Sequence, residues 1–215
     1  MARPRSTSDE QILTVARECF LEHGAGTPTT LIASRLGISH AVLFQRFGTK
    51  ERLMRAALLP PEFPAWVVQV RNGPDDTDAR SQLLAVAEHM FAFYERVVPN
   101  IAVLRAAGIG PDDRTKPPAE RMPVRIRREL AGWFQRAAAR KLIATVNADH
   151  AADLMLGALF FRPFQQHVSQ SAYTRAENRE YVRFAVDAVW HAIESRSDRR
   201  ANIRVRTNPK RKRSA

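Results

Sequence analysis

Apolar residues recur along this chain at intervals of three and four, the spacing that lays a single stripe along an α-helix. Ile12, Leu13, Ala16 and Phe20 form the first stripe. Ile32, Ala33, Leu36, Ile38, Leu43 and Phe47 form two shorter ones that meet across Gly37. Leu83, Leu84, Ala87, Met90, Phe91, Tyr94 and Val98 give an amphipathic helix of about five turns. No stretch alternates apolar and polar residues as a half-buried strand would. The pattern therefore predicts an all-α protein, with helices near 8–23, 28–36, 40–46 and from 50 to the prolines at 60 and 61. Further helices are expected through 83–98, then to about 107, over 119–144, 149–168 and 176–194. Pro99 is expected to interrupt the long middle helix and Pro123 to bend a later one, and 108–118 reads as a loop. Whether 65–71 is helical stays open between its flanking prolines.

Polar residues punctuate these stripes. Thr7 or Ser8, with Glu10 or Gln11 three residues on, makes a capping box for the first helix. Thr27 before Pro28 reads as a polar cap followed by proline at the first helical position. Gly37 suits the left-handed turn that ends a helix, Ser39 can cap the next helix, and Thr49 the one after it. Two short helices joined this way make a helix-turn-helix, which lays its second helix in the major groove of DNA.

Composition narrows the setting. At 215 residues and 45% hydrophobic content the chain can bury a core in one or two domains. One cysteine, Cys19, excludes an internal disulfide framework and reads as a small buried side chain rather than a redox sensor. The N-terminus has no apolar signal-peptide core, and the longest apolar run, 154–161, is far too short to cross a bilayer. A soluble cytoplasmic protein without a membrane partner is expected. The net charge is +12, but the first 60 residues carry only eight basic residues against five acidic ones. The surplus lies at 116–141, with eight basic against two acidic, and at 196–215, with nine against one. A tail of that composition reads as disordered, adding non-specific attraction to phosphates.

No catalytic or cofactor motif emerges. There is no G-x-S-x-G, no P-loop, and Gly108-Ile109-Gly110 lacks both the third glycine and the preceding strand of a dinucleotide site. Asp149, His150 and Asp153 are the one compact metal-like group, better read as a solvated helix start. Neither an enzyme, a cofactor nor a metal site is expected.

The residues around the helix-turn-helix add a family. The pattern Ile12-Leu13-x-x-Ala16-x-x-x-Phe20-x-x-x-Gly24 precedes it, and Leu43-Phe44-x-x-Phe47-x-x-Lys50-x-x-Leu53 closes it. Over residues 8–58 the chain resembles the N-terminal domain of TetR/AcrR-type transcriptional regulators. The segment between Gly24 and Ile32 is one residue shorter than is common there. Ala41 stands where a glycine is frequent, and Phe44 where a tyrosine usually touches a phosphate.

Leu43 and Phe47 face the core, which turns His40, Ala41, Phe44 and Gln45 outward. Glutamine suits paired hydrogen bonds to adenine, and small apolar side chains suit the thymine methyl. The resemblance adds His40, Ala41 and Val42 as base contacts, so the candidate reading set is His40, Ala41, Val42 and Gln45. Lys50 opens the fourth helix, where the helix dipole disfavours a cation unless a phosphate binds there too. Thr27, Thr29, Phe44 (without the hydroxyl) and Arg46 are further candidate phosphate positions.

The resemblance implies four segments: a basic arm at 1–7 with Arg3 and Arg5, a DNA-binding domain at 8–58, a helical effector-binding and dimerisation domain at 59–195, and a basic tail at 196–215. It implies a homodimer through the last two long helices, with Leu154, Leu156, Leu159, Phe160 and Phe161 on one and Tyr181, Phe184, Ala185, Val189 and Ile193 on the other. It implies a small-molecule effector held by candidates His89, Phe93, Leu104, Arg105, Trp133, Phe160, Arg162 and Phe164. The expected function is a ligand-responsive repressor of a near-palindromic operator in double-stranded DNA. The competing reading is a nucleoid-associated or architectural protein with little sequence choice.

Overall fold

The computed structural model of the protein describes residues 7–60, 64, 66–75, 77–110, 117 and 121–194. The basic arm at 1–6 and the tail at 196–215 lie outside them. Among the described residues there are nine helices and no strand. They are α1 (Asp9–His23), α2 (Thr29–Leu36), α3 (His40–Phe47), α4 (Lys50–Leu58), α5 (Trp66–Asn72), α6 (Ala79–Ala106), α7 (Met122–Ala139), α8 (Ala148–Ser169) and α9 (Arg175–Ile193).

These helices fall into two compact units, and the division differs from the expected boundary near 58. One unit is Met1–Glu62 with Glu95–Lys116, the other Phe63–Tyr94 with Pro117–Ala215. In the first, Leu104 and Ile109 are buried with Ile12, Phe20, Leu43 and Leu58. Hydrogen bonding gives the same grouping. The last carbonyls of a helix lack partners within it, and those of α4 find them outside. Arg17 Nε donates to Ala57 O at 2.8 Å and Asn100 Nδ2 to Leu58 O at 3.0 Å. Arg55 Nη1 donates to Gly110 O at 2.9 Å. Hydrophobic periodicity sees the middle helix as one stripe and cannot tell which neighbours each half will choose.

Ser8 caps α1 with the expected box: its hydroxyl accepts from Gln11 N–H, and the Gln11 side chain accepts from Ser8 N–H. Cys19 is fully buried beside Phe20, and burial raises its thiol above the ordinary value while Arg35 pulls the other way.

Pro99 does not end the middle helix; α6 runs through it from Ala79 to Ala106. Proline removes one hydrogen bond and crowds the preceding turn, but buried Val98 and Leu104 on either side hold the helical path. Pro123 sits in the first turn of α7, where a missing N–H costs nothing, and so starts that helix instead of bending it. α7 stops at Ala139, short of 144, and Lys141 takes a left-handed turn at φ 61°.

In the second unit, the segment left open between prolines is helical, and Trp66, Val67 and Val70 of α5 are buried. Arg136 of α7 closes its end, donating to Val70 O at 2.7 Å and Gly73 O at 2.8 Å, while Arg140 donates to Pro74 O at 2.6 Å. Arg127 binds both Asp149 (2.9 Å) and Asp153 (2.6 Å) at the start of α8, which turns the metal-like group into a staple between α7 and α8. Thr174 and Glu177 form a capping box on α9, and Tyr181 O–H donates to Ala158 O at 2.7 Å. α8 buries Ala152, Met155 and Leu159. Leu154, Phe161 and Val168, seven residues apart, are each at least 60% exposed on its opposite face.

Arg136→Ala leaves the carbonyl of Val70 in α5 and that of Gly73 just beyond it without their charged donor and is expected to cost about 1.5–3 kcal/mol. A fall in the thermal midpoint of the full chain checks this; an unchanged midpoint would show that water replaces the guanidinium without loss.

Candidate nucleic-acid interface

The helix-turn-helix is built from a glycine turn and two caps. Gly37 adopts φ 65°, a left-handed conformation that side chains with a Cβ resist. Its N–H and that of Ile38 return to the end of α2, the latter to Ala33 O at 3.1 Å. Ser39 then caps α3 by accepting from Val42 N–H at 3.2 Å. Ala33 and Leu43 are buried between the helices and Phe47 is half-buried. With Leu43 inward, His40, Ala41, Phe44 and Gln45 are exposed and Val42 is half-buried. The outward face of α3 is thus nearly the set expected from the sequence.

α4 begins beside it. Thr49 accepts from Arg52 N–H at 3.1 Å, and Lys50 is the first helical residue. Thr29, Phe44, Gly48, Thr49 and Lys50 line an open hollow over the buried edge of Leu43, Phe47 and Leu53. The hollow therefore joins the N-terminal ends of α2 and α4 with the side of α3.

Charge in this unit is largely paired internally. Arg35 meets Glu22 at 2.8 Å, Arg55 meets Glu51 at 2.9 Å, and Arg17 is held by Ala57 O. Arg46 reaches Asp9 at 3.1 Å and also donates to Thr7 O, so it fastens α3 to the start of α1. Lys50 and Arg52 make no side-chain hydrogen bond or ion pair among the described residues. Lys50 is therefore a cation left beside the free amides of a helix start.

Two expected phosphate positions need revision. Thr27 is fully buried, and its hydroxyl donates within the turn, 2.7 Å from Gly24 O and 3.1 Å from Cys19 O. It neither caps α2, whose cap position is Pro28, nor reaches solvent. The tight Gly24–Gly26 loop pulls it inward, an effect that helix-cap spacing does not register. Thr29 is half-buried and bonded through its hydroxyl to His40 Nε2 at 2.9 Å.

The candidate effector residues are scattered. Leu104 belongs to the core of the first unit, and Arg105 in that unit is exposed. His89 is exposed, and Trp133 is buried edge-on to Phe134. Arg162 lies over the rings of Tyr173 (4.0 Å) and Tyr181 (4.6 Å) and donates to Asn178. Phe93, Phe160 and Phe164 do fall on one aromatic seam. It runs from Trp66 through Phe93 and Tyr94 to Phe160 and Phe164, with centroids 5.5–6.3 Å apart. Trp66 escapes a reading of helical stripes because prolines surround its segment, whereas Tyr94 lies on the stripe of the middle helix. Among the described residues the buried indole N–H of Trp66 finds no acceptor, and burial pushes the Tyr94 phenol up to about 12. Phe160 and Phe164 are exposed at the other end.

Of the residues expected at a subunit interface, Leu154, Phe160, Phe161 and Phe184 are exposed. Leu159, Ala185, Val189 and Ile193 are buried, so these four are core. Leu156 and Tyr181 are half-buried. Among the described residues no group of three or more metal-ligating side chains occurs, and no helix is long and apolar enough to cross a membrane.

Comparison with known proteins agrees with this geometry. Residues 12–57 match the model of bacterial regulatory proteins of the tetR family. No match was found among curated protein sequences. Among solved structures, the fold resembles that of PfmR, a TetR family transcriptional regulator from Thermus thermophilus, at TM-score 0.63 and 21% identity, covering 84% of this chain and 97% of that one. A TetR family transcriptional regulator from Pseudomonas syringae pv. tomato matches at TM-score 0.56 and 21% identity over 88% and 98% of the two chains. Salmonella enterica GusR matches at TM-score 0.55 and 19% identity over 89% and 98%.

Because Thr27 acts inside the turn, Thr27→Val is expected to lower stability by about 1 kcal/mol, the usual worth of a buried hydrogen bond. DNA affinity measured well below the melting temperature should not change; a loss of affinity at unchanged stability would return Thr27 to the interface.

Proposed function

We propose that this chain, whose residues 12–57 belong to the tetR family of bacterial regulatory proteins, is a dimeric cytoplasmic repressor that leaves its operator when a small molecule binds. The observation that carries the reading is the outward face of α3 beside an unpaired Lys50 at the start of α4. Base edges in the major groove need hydrogen-bonding and small apolar groups, and the backbone beside the groove needs a cation with free amides. His40, Ala41, Val42 and Gln45 supply the first, and Lys50 the second. Arg46 serves to hold α3 in place.

One such head covers one half-site, so a two-fold pair reads a near-palindrome. The apolar outward face of α8, with Leu154, Phe160, Phe161, Phe164 and Val168, supports pairing with a second copy, joined by Phe184 of α9. A contiguous face of this kind marks an interaction surface more than a solvated one.

The aromatic seam in the second unit supports an apolar or aromatic effector. A buried indole donor without an acceptor is costly, and a ligand oxygen or nitrogen would satisfy it. Effector binding shifts the population between forms that match and mismatch the operator, and by linkage the operator weakens effector binding equally.

The testing experiment is selection of DNA from a random pool by the full chain. A near-palindromic site is expected. Recovery of no preferred sequence would favour the architectural reading, in which the basic residues at 116–141 and 196–215 do the binding. With the selected site in hand, Lys50→Ala should weaken binding to all sequences alike, by about tenfold. Gln45→Ala should relax preference at one base pair by a similar factor. A sequence-dependent loss for Lys50→Ala would contradict its phosphate role. Phe161→Glu should shift the protein from dimer to monomer in sedimentation; a dimer that persists would move the interface away from α8.

A further inference from the structure

The side chain that opens α3 is held in a way the sequence did not announce. His40, exposed at the first helical position, has Nε2 bonded at 2.9 Å to the hydroxyl of Thr29, the first residue of α2. One turn along α3, the ring of Phe44 lies against the imidazole, with centroids 4.4 Å apart and planes at 49°. That hydrogen bond is the one Thr29's hydroxyl makes among the described residues. An exposed histidine otherwise samples several rotamers. Here one contact fixes the ring's edge and the other braces its face. A threonine hydroxyl can donate to Nε2 or accept from it, so the bond fixes the direction of the ring and is open to either neutral tautomer.

We propose that Thr29 is a positioning residue for DNA reading: it locks the His40 ring so that Nδ1, the nitrogen left free, is presented to a base edge. The proposal rests on α3 being the reading helix and gives Thr29 a role different from a phosphate contact. Phe44 belongs to the same device, since a phenyl without a hydroxyl can lie on the imidazole without drawing water to it. Holding a reading side chain in place before DNA arrives removes part of the ordering cost of binding. It also makes a wrong base pair harder to accommodate, because the ring cannot turn away from it.

The test uses the full chain with Thr29→Val, which keeps the branched shape and removes the hydroxyl, and Thr29→Ser, which restores it. Side-chain couplings and ring-proton NOEs of His40 in the free protein should show a single rotamer in the parent and in Thr29→Ser. Thr29→Val should show an exchanging mixture. A mixture in the parent, or no change in Thr29→Val, overturns the lock, and this arm needs no DNA. On DNA, Thr29→Val should lose about 2- to 10-fold in affinity for the selected site, the worth of one hydrogen bond. It should lose little on unrelated competitor DNA, and Thr29→Ser should recover the difference. An equal loss on every sequence would make Thr29 a phosphate contact and overturn the positioning role. If the parent selects no sequence at all, the DNA-reading assignment of α3 fails, and the presentation to a base edge fails with it, whatever the NMR shows. Equal melting temperatures of the three proteins exclude a folding defect as the cause.

Discussion

The left-handed turn at Gly37 is the constraint on which the rest of the helix-turn-helix unit depends. It lets α2 end and α3 begin within three residues, and the returning hydrogen bond to Ala33 O fixes the angle between them. Once that angle is set, Leu43 must point inward, and the opposite face of α3 is decided without further instruction. Ala33 matters for the same reason, since a methyl leaves room where the two helices approach. The buried Thr27 turn and the Arg46 contacts to the start of α1 then hold the pair against α1.

α4 has a double allegiance within this unit. Its first turn carries Lys50 next to α3, and its last carbonyls are taken by Arg17 from α1 and Asn100 from α6. A displacement of the 95–110 segment would therefore reach the Lys50 end through one short helix of nine residues. Among the described residues, the other amide atom of Asn100, Oδ1, is buried without a donor. Such an unsatisfied acceptor is a cost the fold tolerates at the place where α6 meets α4.

Much of this was legible in the sequence wherever the signal was local. Ser8 with Gln11, Ser39, Thr49 and Gly37 act as their positions in the sequence imply, because caps and glycine turns are decided by a few neighbouring residues. The all-α class and the outward set on α3 follow from periodicity alone. What escaped depends on partners far along the chain. Pro99 was expected to break a helix that packing on both sides sustains. Leu104 reads as a pocket residue and belongs to the core of the first unit. Thr27 looked like a cap and is sealed inside a turn. The roles of Trp66 and Tyr94, and the bond from Thr29 to His40, arise from distances of 11 residues or more, which no spacing rule anticipates.

The pairing of the head's own arginines has a consequence for thermodynamics in salt. Arg17, Arg35, Arg46 and Arg55 are bound to protein groups, so within residues 7–58 Lys50 and Arg52 are the described cations left to displace counterions if this head binds DNA as proposed. Two such heads would release counterions from about four phosphates, giving a slope of roughly −4 in log affinity against log salt. Any steeper dependence would belong to residues outside the described head, such as Arg3 and Arg5 or the nine basic residues after 195. Recognition and attraction would then be divided along the chain, with specificity carried by a nearly neutral head and long-range capture by its ends.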